Sequence, residues 1–243
     1  MRRYSLGGNQ GLITLSPRLA AAARYVLPGR PVADIGTDHA YLPAYLVQTG
    51  RVPWSIAADV MPGPLEAART TVVAEAVSGD VSLRLGSGLQ VLRPGEVATV
   101  TICGMGGPLI AEILATGPLG GLERLVLQPM GGEERLREWL AANGWRLVAE
   151  ELVADAGRIY VILAAEPGVM SLTEPELLVG PYLRQAGGPL LGRYLRFLRE
   201  QLERALVGAR QSHRPEAVAR TGALEQRMQI LEEAIAGAER DHR

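Results

Sequence analysis

The densest chemistry in this 243-residue chain is the stretch Asp34-Ile35-Gly36-Thr37-Asp38-His39-Ala40-Tyr41-Leu42-Pro43, which completes a short apolar run beginning at Val32. A glycine at a strand exit lets the backbone turn tightly and approach a bound nucleotide or nucleoside. Asp38 stands where a dinucleotide-binding loop would carry its second glycine, and a carboxylate there would repel a pyrophosphate. It suits instead a ligand that carries an ammonium group. Twenty-five residues after Asp34, Asp59 ends a second apolar run and is followed by Val60. An acid at that place can accept hydrogen bonds from both ribose hydroxyls. A third run ends in Gly86-Ser87-Gly88-Leu89, a turn where adenine could lie against backbone. A fourth ends in Gly104-Met105-Gly106-Gly107-Pro108, whose glycines predict a backbone that comes very close to something. Each loop alone reads as an ordinary tight turn. Four consecutive strands with such endings point to one nucleoside-like ligand.

The elements that must hold these loops follow from the apolar pattern. Ser16-Pro17 predicts a helix capped by Ser16, with Pro17 at its first position and continuing over 18–26. Strands are expected at 32–35, 55–59, 81–85, 98–103 and 124–128. Helices are expected between them at 43–49, about 64–76 and 108–115, and another follows at 133–143. Segments 146–153 and 158–165, joined by Ala156-Gly157, read as a closing antiparallel pair. This alternation predicts a Rossmann-like α/β fold, a mostly parallel sheet covered on both faces, with ligands at the C-terminal ends of its strands.

After Pro167 the pattern becomes helical only. Leu191, Leu195, Leu198, Leu202, Ala205 and Ala209 step by four and three, as do Leu224, Met228, Leu231 and Ile235. Ser212 to Pro215 interrupts the series, so a C-terminal coiled-coil hairpin is expected. The predicted organisation is a catalytic domain over 1–167 and a helical domain over 168–243.

Charge is unevenly spread. The formal net charge is −1, yet residues 1–30 hold five Arg and no acid, and residues 181–220 hold eight Arg against three acids. Every basic residue is Arg. Basic ends on a nearly neutral protein suit contact with a polyanion. The single cysteine, Cys103, excludes an internal disulfide and fits a cytoplasmic protein. No apolar run approaches the roughly 18 residues of a membrane span, and no signal peptide is expected. With only His39, His213 and His242, a zinc site is not expected. No feature fixes an oligomeric state.

The segments LSPRLAAAARYV, ADIGTDHAYLP, RLGSGL, VTICGMGG and LVLQP occur in this order. Together they resemble the bacterial tRNA adenine-N1 methyltransferases that modify adenine 22 in the D-arm, over about residues 12–165. The resemblance implies a class I methyltransferase fold, S-adenosyl-L-methionine as cofactor, tRNA as partner, and a C-terminal helical domain that helps hold the tRNA. Carried over by position, Asp34, Gly36, Thr37 and Asp38 belong to the cofactor loop. Asp59 and Val60, Gly86, Ser87 and Gly88, and Gly104, Met105 and Gly106 complete the cofactor set. Asp38, His39 and Tyr41 form the catalytic set, with Asp38 the essential acid.

Two positions depart from the family pattern. The family reads GDGL where this chain has Gly86-Ser87-Gly88-Leu89, and LQPN where it has Leu127-Gln128-Pro129-Met130. Ser87 is a neutral, weaker acceptor, and Met130 cannot replace an amide hydrogen bond to a base. Three readings therefore stand side by side: methylation of adenine 22 in tRNA, methylation of another RNA base or a small molecule, and a catalytically silent cofactor-binding scaffold.

Overall fold

A computed structural model describes residues 11–211 and 215–240, without the side chains of residues 215–220 and 239–240. Arg2, Arg3, His213, Arg214 and His242 lie outside the described residues. Seven strands form one sheet in the order β3-β2-β1-β4-β5-β7-β6. They are β1 (Val32–Ile35), β2 (Ser55–Asp59), β3 (Val81–Leu85), β4 (Thr99–Met105), β5 (Arg124–Pro129), β6 (Trp145–Asp155) and β7 (Arg158–Pro167). β1 runs parallel to both β2 and β4, β2 runs parallel to β3, and β6 and β7 are antiparallel. The strand order reverses direction between β1 and β4, the switch point of a doubly wound sheet.

By packing, the chain divides into two compact units. One comprises residues to Cys103 with Ile113–Val126, and the other Gly104–Glu112 with residues from Leu127 onward. In the first, helices α1 (Pro17–Tyr25), α2 (Tyr41–Gln48) and α3 (Pro62–Ala74) accompany β1 to β3. Ala40, Ala44, Ala57, Ala68, Val72 and Val81 form one apolar cluster there. The small residues let helices sit close to the sheet, and the mostly apolar β1 and β2 are buried along almost their whole length.

Some boundaries differ from expectation, each for a local reason. Helix α2 starts at Tyr41, two residues before Pro43, because Ala40 adopts a left-handed conformation (φ 55°) and serves as its N-cap. Ser16 precedes α1, but its hydroxyl is buried without a hydrogen bond, so it gives no side-chain cap. β4 continues through Gly104 and Met105 instead of ending at Cys103. At the turn between β6 and β7, Ala156 (φ 46°) and Gly157 (φ 79°) are both left-handed, as a two-residue hairpin with matching twist requires.

In the second unit, α4 (Gly107–Ala115) begins and α5 (Glu133–Ala142) follows β5. Four helices then close the chain: α6 (Glu174–Val179), α7 (Pro181–Ala186), α8 (Pro189–Arg210) and α9 (Pro215–Arg240). Thr173 caps α6 in a reciprocal capping box with Glu176. Leu206, Ala209 and Leu224 pack together, flanked by Leu202, Ala205 and Met228. Arg210 pairs with Glu225 beside the turn, while Leu191 and Leu195 share a pocket with Ile230 and Ala234, so α8 and α9 run antiparallel. Leu206 and Tyr194 join the buried face, whereas Leu198 is only half-buried.

Candidate active site

In the first unit the exits of β1, β2 and β3 are stitched together by backbone hydrogen bonds. The N–H groups of Gly36 and Thr37 both donate to the Ala58 carbonyl, and that of Gly86 donates to the Asp59 carbonyl. Parallel register fixes this arrangement, because Ile35 lies opposite Ala58 and Asp59 opposite Leu85. Asp34, Gly36, Thr37, Asp59 and the Gly86–Gly88 turn are thereby brought together at the C-terminal ends of these strands. Gly36 turns the chain with φ 73°, a value that a residue with a side chain rarely adopts.

Asp34 points into the protein. Its side chain accepts a 2.5 Å hydrogen bond from Thr101 Oγ1, its register partner on β4. Burial pushes its pKa from 3.8 up to about 6, against the hydrogen bond from Thr101. Thr101 was not legible as a site residue. Its only sequence signal is a hydroxyl within an otherwise apolar strand.

Asp38, His39 and Tyr41 are exposed; the first two lie in the loop after β1, and Tyr41 opens α2. Asp38 is left-handed (φ 53°), a conformation Asp tolerates better than most residues. Its carboxylate lies 3.6 Å from His39 Nε2. The His39 ring stacks on Tyr41 at a centroid distance of 5.3 Å with an interplanar angle of 16°. Tyr41 is therefore no core residue; it is 46% exposed. The loop and the start of α2 offer an acid, an imidazole and a phenol on one surface.

Asp59 is half-buried, and its Oδ1 accepts the Met61 N–H at 2.8 Å. That bond orients the carboxylate through Oδ1. Val60 and Met61 are both exposed, an apolar rim beside it. Ser87 is exposed and precedes the 3-10 turn Gly88–Val91.

Gly104, Met105 and Gly106 belong to the second unit. There the closeness predicted for the glycine turn is to the protein's own backbone. A Cβ on Gly107 would lie 2.2 Å from the Gly132 carbonyl oxygen, and Gly107 N–H donates to the Gly131 carbonyl at 2.8 Å. Met130 N–H likewise donates to the Met105 carbonyl. The tightest glycine of the turn thus serves packing against the Gly131-Gly132 loop.

The first-unit residues fit a nucleoside with an amino-acid arm. Thr37 Oγ1 is buried and makes no hydrogen bond of good geometry among the described residues, although it lies near enough to the Asp34 carboxyl to lower its pKa. The neighbouring strand exits add the half-buried Asp59 carboxylate and the Gly86–Gly88 turn, groups of the kind that ribose hydroxyls and an adenine edge can meet. Among the described residues, no group of three or more His, Cys, Asp or Glu could hold a metal ion, and no helix is long and apolar enough to cross a membrane.

A parallel sheet with this switch point, carrying acids at the ends of β1 and β2, defines a Rossmann-like methyltransferase domain, and residues 15–163 match the methyltransferase-domain family. The tRNA (adenine(22)-N(1))-methyltransferase of Bacillus subtilis is 39% identical, over 70% of this chain and 75% of that protein. The crystal structure of the B. subtilis m1A22 tRNA methyltransferase TrmK superposes with a TM-score of 0.84 at 33% identity, covering 92% of this chain and 99% of that one. TrmK of M. capricolum, solved with the cofactor product S-adenosyl-homocysteine, gives a TM-score of 0.78 at 26% identity, over 91% and 98%. The chain belongs to the family of the B. subtilis tRNA (adenine(22)-N(1))-methyltransferase.

Proposed function

We propose that the protein transfers a methyl group from S-adenosyl-L-methionine to N1 of adenine 22 in tRNA. The observation that carries this reading is the 39% identity to an enzyme named for that reaction, over three quarters of that enzyme's length. The cofactor follows from the M. capricolum relative, which holds the corresponding product.

S-adenosyl-L-methionine supplies an electrophilic methyl group on a sulfonium. The acceptor is a ring-nitrogen lone pair, so the protein's task is positioning and exclusion of water. Asp59 holds the ribose hydroxyls through its carboxylate. Gly86, Ser87 and Gly88 receive the adenine, and Ser87 offers it a neutral hydrogen bond. Asp34, Gly36 and Thr37 line the arm of the ligand, and Gly104, Met105 and Gly106 complete the cofactor set. Asp38 accepts a hydrogen bond from an amine, orienting the cofactor or the target base, and His39 and Tyr41 stand beside it. N1 lies on the Watson–Crick edge, so the target base must be unpaired or flipped out.

Residues 1–167 act as the methyltransferase domain. Residues 168–243 form the helical domain, and the antiparallel pair α8 and α9 packs as a coiled-coil hairpin that contacts tRNA. The protein works in the cytoplasm, where its substrate is. The test is to incubate the full chain with unmodified tRNA and labelled cofactor, then analyse the nucleosides by mass spectrometry. 1-Methyladenosine at position 22 is expected. Methylation at another position, or none, would reject the reading.

A further inference from the structure

A cavity of about 560 Å³ lies wholly within the second unit, at the exit of β5. Its walls come from four elements: Met130 after β5, Glu133 at the start of α5, Arg158 and Tyr160 at the start of β7, and Arg193, Tyr194 and Phe197 on α8. The volume falls in the ordinary range of small-molecule sites. Phe197 and Met130 are 47% and 45% exposed, large apolar side chains that face the opening instead of the core. Tyr194 is buried beneath them, its hydroxyl without a hydrogen-bond partner of good geometry among the described residues.

Charge and aromatic surface are combined here in a specific way. Arg158 and Arg193 are exposed, and neither ion-pairs among the described residues, whereas Arg199 pairs with Glu203 and Arg210 with Glu225. Unpaired guanidinium groups bind phosphate well because their forked donors match its oxygens. Aromatic faces beside such arginines are how proteins hold single-stranded nucleotides, the base stacking while the phosphate meets the cation. Gln201 adds both a donor and an acceptor for a base edge. Met130 contributes a polarisable apolar face at this cavity.

We propose that this cavity is a subsite for a second, unpaired nucleotide of the RNA substrate, its base against Phe197 and its phosphate on Arg158 and Arg193. None of the cofactor or catalytic residues assigned above is among its lining residues. The subsite rests on the reading that the substrate is RNA. It gives the β6–β7 hairpin a recognition role in addition to closing the sheet.

The full chain, Phe197→Ala, Phe197→Trp and the double variant Arg158→Gln/Arg193→Gln are compared with unmodified tRNA. Phe197 and both arginines are exposed, so folding is retained and checked by circular dichroism. Loss of one stacked base predicts about a tenfold rise in Kd and KM for tRNA in Phe197→Ala, largely restored in Phe197→Trp, with cofactor affinity unchanged. With p-benzoylphenylalanine at position 197, the photo-crosslink should map to an unpaired nucleotide other than the methylated one. Unchanged tRNA binding in all variants overturns the subsite, as does a crosslink to the methylated adenine. If the wild-type chain methylates no tRNA but Phe197→Ala still weakens tRNA binding, the proposed activity fails and the subsite stands. A wild-type chain that binds no RNA ends both.

Discussion

Arg137 on α5 and Glu150 on β6 form an ion pair of 2.7 Å in which neither side chain is exposed. The pair is saturated with further bonds. Arg137 donates to the carbonyls of Leu177 and Val179, and the second oxygen of Glu150 accepts the Tyr182 N–H. The segment that follows the sheet is therefore anchored on a buried charge pair, and α6 and α7 are held to α5 and β6.

Removing one partner of such a pair leaves an uncompensated buried charge. Arg137→Met should lower stability by about 3–5 kcal/mol in urea unfolding. The double variant Arg137→Met/Glu150→Leu should recover much of that loss. A single variant as stable as the wild type would show that the network carries no stability. Truncation after Pro167 would remove the carbonyls that satisfy Arg137, so point substitutions are the cleaner probe of the helical domain.

Two carboxyl groups should shape the pH dependence of stability with opposite sign. Asp34 is raised to about 6 by burial, so the folded state holds its proton more tightly than the unfolded chain. Its contribution is complete below 3.8 and is lost as pH rises through about 6. Glu96 is lowered to about 2, chiefly by its hydrogen bond from Arg84, so its contribution is present above 4.5 and is lost as pH falls toward 2. Asp34→Asn should flatten the decline between about pH 4 and 6, and Glu96→Gln the fall below it. The urea midpoint measured against pH tests both. An unaltered profile in Asp34→Asn would remove Asp34 from this account.

Asp38 combines a charge with a left-handed backbone, and two substitutions separate these properties. Asn tolerates the same φ without the charge, whereas Ala loses the charge and strains the loop by about 1–2 kcal/mol. Both should lower kcat by about a hundredfold if the carboxylate positions the reacting groups. An Asp38→Asn enzyme of normal rate with a slow Asp38→Ala enzyme would make the residue purely conformational.

Asp59→Ala should weaken binding of S-adenosyl-L-methionine and S-adenosyl-homocysteine alike, by about 2 kcal/mol, because the variant has no charged hydrogen-bond acceptor for the ribose. Calorimetry measures both. Equal affinities in mutant and wild type would take Asp59 out of the site.

The arginines of α8 should contribute unequally. Replacing Arg193, Arg196 and Arg199 together with Gln should flatten the salt dependence of tRNA binding. Arg199 already pairs with Glu203 at 3.5 Å, so most of the change should come from the other two. Each phosphate left without its arginine should reduce the slope of log K against log salt by about one. A slope unchanged in the triple variant would leave these side chains merely solvated.

Residues 32–35, 55–59 and 81–85 were readable as strands to the residue, because short, mostly apolar segments rich in Val, Ile, Leu and Ala and closed by Gly or Asp have few alternatives. The start of α2 was not. Pro43 looked like a first helical residue, but Ala40 in a left-handed conformation began the helix earlier. The step pattern of α8 found Leu191 and Leu195 but missed Tyr194 and Leu206, since a heptad read from one helix does not know where its partner lies.

The sequence by itself determined the order of strands and helices, the acids at the ends of β1 and β2, and the family, because these depend on local pattern and spacing. Tertiary structure alone decided which distant groups meet. It brought Thr101 to Asp34 across 67 residues, Glu150 to Arg137 inside the protein, and Phe197 to the cavity shared with Met130 and Arg158. Strand register and helix packing set those meetings. Hydrophobic periodicity says which face of an element is buried; what it is buried against depends on the closure of the whole chain.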